Sequence, residues 1–272
     1  MDAELDGLLL DLDGVLVTGG RPLPGVPEML ATVLASDVPL RILSNTTLVP
    51  RRFIVERFRS LGIPLTADMV LTPPAAAARW LHDQGAQAVA LFVAPGTREE
   101  FAGLPLVDPE AESGADFVVV GDMGDEWSAP ALNRALRLLV NGARLVALGM
   151  GRYWKAPDGL RLDTGAYVSA LSFATGQEPV VIGKPAPAFF RLALEALGVP
   201  ANRTAMVGDD IISDVGAAQQ VGLKGILVKT GKFRPEDLER GVTPDWVVPD
   251  VTHVLPLLGL HTDLGHIPTT NE

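Results

Sequence analysis

The sequence predicts a doubly wound α/β fold built on a parallel sheet, with a second α/β unit inserted into it. Three observations predict it. Short runs rich in Val, Ile and Leu alternate with segments of helical period, the runs end in polar or turn residues, and the helical segments open near proline and close near glycine. Strands that are apolar on both faces and separated by helices belong to a parallel sheet covered on each side.

Taken in order, "GLLLDLD" (7–13), "PLRILSN" (39–45), "TAMVGDD" (204–210), "KGILVKT" (224–230) and "DWVVPD" (245–250) have strand length. Helical patterns cover 27–34, 50–61, 187–197 and 211–221, and Gly62, Gly198 and Gly222 stand just past three of their ends. The Pro73–Pro74 pair is expected to break the first block. New strand candidates follow in "AVALFV" (88–93), "DFVVVGD" (116–122) and "RLVALG" (144–149), with a helix over 129–141. The stretch "RYWKAPDGLRLDT" reads as a hairpin turning at Pro157-Asp158-Gly159. The expected organisation is a core of residues 1–74 plus 180–272 with an inserted α/β cap over 75–179.

Composition narrows the partners. The chain has 272 residues and a net charge of -11, so nucleic acid and anionic membranes are disfavoured. It has no cysteine, which excludes disulfides, thiolate catalysis and Cys-ligated zinc. No apolar run approaches the ~20 residues of a membrane helix, and no secretory signal is legible, so a cytoplasmic protein is expected.

The polar residues gather at strand ends, where ligands bind in open parallel sheets. Asp11 and Asp13 end the first strand one residue apart, just before Gly14. A divalent cation bridging them would relieve their repulsion, and hard oxygen ligands suit Mg²⁺. By itself this pair also fits a polar strand end or a capping turn. Ser44, Asn45, Thr46 and Thr47 follow the second strand, where hydroxyls and free N–H groups make an anion cradle or an ordinary helix cap. Lys184 is confined between Gly183 and Pro185, which suggests a directed side chain rather than a solvated one. Asp209, Asp210 and Asp214 cluster at a strand-to-helix junction. Asp209, at the strand tip, is the expected third metal ligand, with Asp210 and Asp214 in support; Asp214 falls one helical turn on, able to help hold the metal or to orient Lys184.

In that order, "DLDGVL", "LSNTT", "GKP" and "GDDIISD" resemble the four motifs of the haloacid dehalogenase-like phosphohydrolases. The resemblance extends over nearly the whole chain to the NagD-like and 4-nitrophenylphosphatase-like branch. Residues 209–233 are especially similar to the HAD-domain-containing-2 and phospholysine phosphohistidine inorganic pyrophosphate phosphatase groups. The resemblance implies a Rossmann-like core with a C2-type cap and a Mg²⁺-dependent phosphatase acting on a small phosphorylated metabolite. Asp11 would be the nucleophile, forming an aspartyl-phosphate, and Asp13 the general acid and base. Mg²⁺ would sit on Asp11, Asp209 and the backbone carbonyl of Asp13, while Ser44, Asn45 (through its backbone N–H) and Lys184 would bind phosphate.

Dehalogenating relatives lack the second aspartate, so Asp13 argues for phosphatase chemistry. Two departures from the common pattern are Ser44, where many relatives carry threonine, and Val15, where many carry Thr. In the cap, Arg152, Tyr153, Trp154 and Lys155 are the candidate specificity residues, although the aromatic rings equally suit packing. Arg152 replaces an acidic residue common in NagD-like relatives, so their substrate preferences do not transfer. A homodimer through the cap is implied by the same resemblance. The alternatives are a phosphatase of phosphoamino acids or pyrophosphate, a catalytically quiet interaction protein, or a phosphate-sensing module. A sensing module would carry its acidic residues in another order and lack a large cap.

Overall fold

The computed structural model describes residues 4–156 and 158–261. In chain order its main elements are β1 (Gly7–Asp11), α1 (Val26–Leu34), β2 (Leu40–Leu43), α2 (Arg51–Ser60), α3 (Pro73–Asp83), β3 (Val89–Phe92), β4 (Phe117–Val120) and α4 (Ala129–Val140). They continue with β5 (Arg144–Ala147), β6 (Tyr153–Ala156), β7 (Gly159–Leu162), α5 (Thr164–Thr175), β8 (Val180–Val181), α6 (Pro187–Leu197), β9 (Thr204–Gly208), β10 (Lys224–Val228) and β11 (Trp246–Val248). Every strand run named from the sequence forms a strand. Residues 4–43, 58–65 and 193–261 form one compact unit, and 44–57 with 66–192 form another, each taken over its described residues.

In the first unit, five strands lie in the order β11–β10–β9–β1–β2, all parallel. Every residue of β1 and of β9 is buried. That is why neither shows a period of two: helical and loop layers cover both faces, leaving no solvent side to be polar. Register places Asp11 opposite Leu43 and Leu10 opposite Val207. The polar residues that follow β2 and β9 in the chain, Ser44 and Asp209, are thus one residue beyond strands aligned with the end of β1.

The second unit carries its own parallel sheet in the order β8–β5–β4–β3. Its core packs Val118, Val120, Leu145 and Ala147 against Ala135, Leu138 and Leu139 of α4 and Val168 and Leu171 of α5. Ser128 caps α4 by accepting from the Ala131 N–H at 3.3 Å, and Asp163 accepts from Thr164 N–H at 2.6 Å at the start of α5. The expected hairpin is present, with β6 and β7 antiparallel and Ala156 opposite Gly159.

Two local expectations change. Pro73 and Pro74 do not break the chain but form the first turn of α3, where a missing N–H and a fixed φ suit a helix start. The pattern over 211–221 is a π-helical turn, Ile211–Gly216, leading into the short helix Ala217–Gln219. Among the described residues, no helix is long and apolar enough to cross a membrane.

Candidate active site

Asp11, Asp209 and Asp214 come together: one carboxylate oxygen from each lies within 4.8 Å of the others, and all three residues are buried. Local structure aims each one. The Leu12 N–H donates to Asp11 Oδ1 at 2.8 Å. Lys232 N–H donates to Asp209 Oδ2 at 2.7 Å, across from the loop that follows β10. Asp210 N–H donates to Asp214 Oδ2 at 3.2 Å, drawing the π-turn back toward the strand tip. Ile211 and Val215 anchor that turn by packing on Leu227.

Two glycines make room for Asp209. A Cβ on Gly14 or on Gly231 would stand 2.0 Å from Asp209 Oδ2, and both residues have positive φ, 87° and 62°. Only glycine fits either place. Thr230 ties the two loops by donating its hydroxyl to the Gly14 carbonyl at 2.5 Å. Gly231 and Lys232 were not singled out as site residues in the sequence, although "KTGK" follows a buried strand in the same way as the other motifs.

The two supporting aspartates divide. Asp214 joins the buried cluster, while Asp210 turns away and accepts from Ile212 and Ser213 N–H at 3.0 and 2.9 Å. Burial alone would raise the Asp210 pKa, but these hydrogen bonds outweigh it and hold the carboxyl below its usual range. Asp13 presents an exposed side chain, leaving its carboxylate outside the three-way cluster. The donor set of three buried hard oxygens, cradled where a Cβ would collide, fits a small divalent cation.

The anion-binding candidates lie in the second unit. Ser44 is buried, and its Oγ accepts from Thr46 N–H at 3.2 Å, which leaves the hydroxyl proton to donate elsewhere. Lys184 is buried, and its peptide bond to Pro185 is cis. Asn45 and Lys184 are brought together, the Asn45 carboxamide meeting the Lys184 main chain.

Of the specificity candidates, Arg152 and Tyr153 are exposed and Trp154 is half-buried, while the Lys155 side chain lies outside the described residues. Trp154 lines a cavity of about 330 Å³ with Asp122, Gly124, Asp125, Asp158, Arg161, Leu162 and Tyr167. Burial pushes the Asp122 pKa up against hydrogen bonds from Gly124 N–H and the Trp154 side chain, and the nearby Asp163 charge raises it further. Sequence reasoning missed Asp122. Its only signal was its place after a buried strand, in "VVVGD".

Known proteins resemble this chain over most of its length. Residues 8–106 match the haloacid dehalogenase-like hydrolase model, and residues 181–254 match a HAD-hydrolase-like model. A phospholysine phosphohistidine inorganic pyrophosphate phosphatase of Rattus norvegicus is 38% identical over 264 residues, covering 94% of this chain and 95% of that one. A haloacid dehalogenase-like hydrolase domain-containing protein 2 of Bos taurus is 38% identical, with 87% and 88% covered. A p-nitrophenyl phosphatase from Archaeoglobus fulgidus superposes with a TM-score of 0.83 at 33% identity, covering 92% of this chain and 97% of that one. NagD from E. coli K-12 gives 0.82 at 26%, with 91% and 97% covered. The chain belongs to the haloacid dehalogenase-like hydrolase family. Within it, the chain is a phosphatase of the NagD-like kind.

Proposed function

We propose that the protein is a Mg²⁺-dependent phosphatase that hydrolyses a small phosphorylated metabolite through an aspartyl-phosphate on Asp11. The observation that carries this reading is the buried meeting of Asp11 with Asp209 and Asp214 at the end of a parallel sheet. Residues 75–179 act as the inserted cap of a core formed by 1–74 and 180–272; β3 to β7, α4 and α5 all fall inside those cap limits.

In the first step a carboxylate oxygen of Asp11 attacks phosphorus, the bond to the leaving oxygen breaks, and Asp13 gives that oxygen its proton. In the second, the Asp13 carboxylate takes a proton from water, whose oxygen attacks phosphorus and releases Asp11 with free phosphate. The exposed Asp13 side chain suits a group that meets both the leaving oxygen and the incoming water, and the proton it gives in the first step is restored in the second. Ser44 donates its hydroxyl, Asn45 its backbone N–H and Lys184 its ammonium to the phosphoryl oxygens. Asp11, Asp209 and the Asp13 carbonyl would hold Mg²⁺, with Asp214 beside them, and the ion when bound supplies positive charge against the phosphoryl oxygens. Arg152, Tyr153 and Lys155 select the leaving group.

Hydrolysis of p-nitrophenyl phosphate, with and without Mg²⁺ and beside Asp11→Asn, tests the reading. Turnover that needs Mg²⁺ and vanishes in Asp11→Asn is expected; turnover indifferent to either overturns it. A second reading, action on phosphoamino acids or pyrophosphate, is favoured by the likeness to the rat phosphatase, whose name carries those substrates. A panel of sugar phosphates, nucleotides, pyridoxal phosphate, pyrophosphate and phosphoamino acids separates the two by kcat/KM.

A further inference from the structure

We infer that Asn45 is a positioning residue whose side chain sets the place of Lys184. This rests on the reading that Lys184 binds the transferred phosphoryl group. The Asn45 Nδ2 donates to the Lys184 carbonyl at 2.9 Å, and the Lys184 N–H donates to Asn45 Oδ1 at 2.9 Å. The two residues are 139 apart in the chain, so this pair is tertiary, not a local turn.

The geometry is that of a strand neighbour. A carboxamide carries one donor group and one acceptor on a planar frame, as a peptide unit does, and it satisfies both main-chain groups of one residue at once. Lys184 needs such a partner. The strand β8 ends at Val181, and Pro185 brings no N–H of its own. Lys184 is 6% exposed, so water does little to replace the lost ladder. Asn45 is exposed as a residue, yet its carboxamide is turned onto the Lys184 main chain.

The neighbouring residues are shaped to this contact. Gly183 has φ 127°, and a Cβ there would stand 3.1 Å from the Leu148 carbonyl and from Pro73 Cγ, and 3.4 Å from Asn45 Oδ1. A side chain at 183 would therefore crowd the Leu148 carbonyl and Pro73 beside the Asn45 contact as well as strain the backbone. On the other side, Ser44 immediately precedes Asn45 and keeps its hydroxyl proton to donate. One short segment thus offers the phosphate hydroxyl with one residue and fixes the phosphate lysine with the next. Aspartate would keep only the acceptor and face the Lys184 carbonyl with a second one. Serine and threonine cannot span both groups.

A double-mutant cycle tests the role, with Asn45→Ala, Lys184→Ala and their combination assayed for kcat, KM and competitive inhibition by inorganic phosphate. Asn45→Ala is expected to lower kcat/KM about 10- to 100-fold and to weaken phosphate inhibition, because a displaced lysine loses its alignment. Asn45→Asp should not rescue it, and it serves in place of Asn45→Ala if that variant fails to fold. In the Lys184→Ala background the same Asn45 change should alter kcat/KM less than about threefold, since nothing remains to be positioned. Losses that multiply across the two sites, or an Asn45→Ala enzyme with unchanged kcat/KM and phosphate inhibition, overturn the role. A merely structural clasp gives the first of these results, because the backbone at position 184 still needs its partner after the lysine side chain is removed. Full activity in Lys184→Ala instead removes the phosphate role of Lys184, and the inference falls with it.

Discussion

In the first unit, β1 runs into the buried carboxylate of Asp11, and Asp209 and Asp214 meet it. In the second unit, β4 runs through Gly121 into one buried carboxylate, Asp122, whose neighbours are the Gly124 N–H and the Trp154 side chain. Both sheets are parallel, and β1, β9, β3 and β4 are buried along their whole length. The architecture is shared, but the chemistry at the strand ends is not. Three carboxylates in one place concentrate negative charge and suit a divalent cation. A single one, desolvated, is pushed toward its neutral acid instead. A parallel sheet supplies the location of a site, and the residues just past its strands decide what the site holds.

The sharpest way to break this contrast is Asp11→Asn. Loss of the proposed nucleophile should lower p-nitrophenyl phosphate turnover more than about a thousandfold. Without metal, the melting temperature should hold or rise, because one of three mutually repelling carboxylates is neutralised. The rise that Mg²⁺ gives the unaltered protein should shrink. A variant that loses stability but keeps turnover would refute a charged catalytic cluster.

Next in size is Leu138→Ala, which leaves a hole in the α4 face of the second core. It is expected to cost about 2–5 kcal/mol in urea denaturation, the range for burying an alanine where leucine was. If that unit relied on polar contacts rather than its apolar core, the loss would fall below about 1 kcal/mol, well short of the cavity range.

Gly231→Ala probes the cradle of the first unit. Its Cβ would drive the Asp209 carboxylate from its place and strain a backbone with φ 62°. We expect the Mg²⁺ concentration for half-maximal activity to rise about 10- to 100-fold, as for a lost outer partner of a metal ligand. An unchanged Mg²⁺ requirement would detach Asp209 from the metal.

The smallest effect belongs to Asp122→Asn. Burial raises the folded pKa of Asp122 above its ordinary value near 3.8, so its native-state contribution is full below that value and is lost as pH rises through the folded pKa. Asparagine does not titrate. The melting temperature of Asp122→Asn relative to the unaltered protein should therefore climb over the pH window that opens at this ordinary aspartate value and runs upward. A difference that stays flat across that window would mean that Asp122 is not held in a desolvated place.

Much of this was written in local patterns. Buried strands announce themselves as apolar runs because both of their faces are covered, and the turn at Asp158–Gly159 follows from backbone preferences that need no partner. Asp11, Asp13, Ser44, Lys184 and Asp209 could be singled out for the same reason: each ends or follows a strand, and strand ends are where a parallel sheet exposes its sites. Side-chain direction was not legible. Asp210 and Asp214 are four residues apart with the same chemistry, yet one caps a π-turn and the other enters the cluster. That choice depends on how Ile211 and Val215 pack on Leu227, a contact between distant segments.

The sequence by itself determined the fold class, the positions of its strands along the chain and the residues at their ends, because these rest on periodicity and on chain-local turn chemistry. Only the tertiary structure decided that Gly14 and Gly231 close on Asp209, that Asp122 is buried, and that Asn45 grips Lys184. Each of those is a meeting of residues far apart in the chain. No local propensity encodes it, and packing settles it only once the sheets have formed.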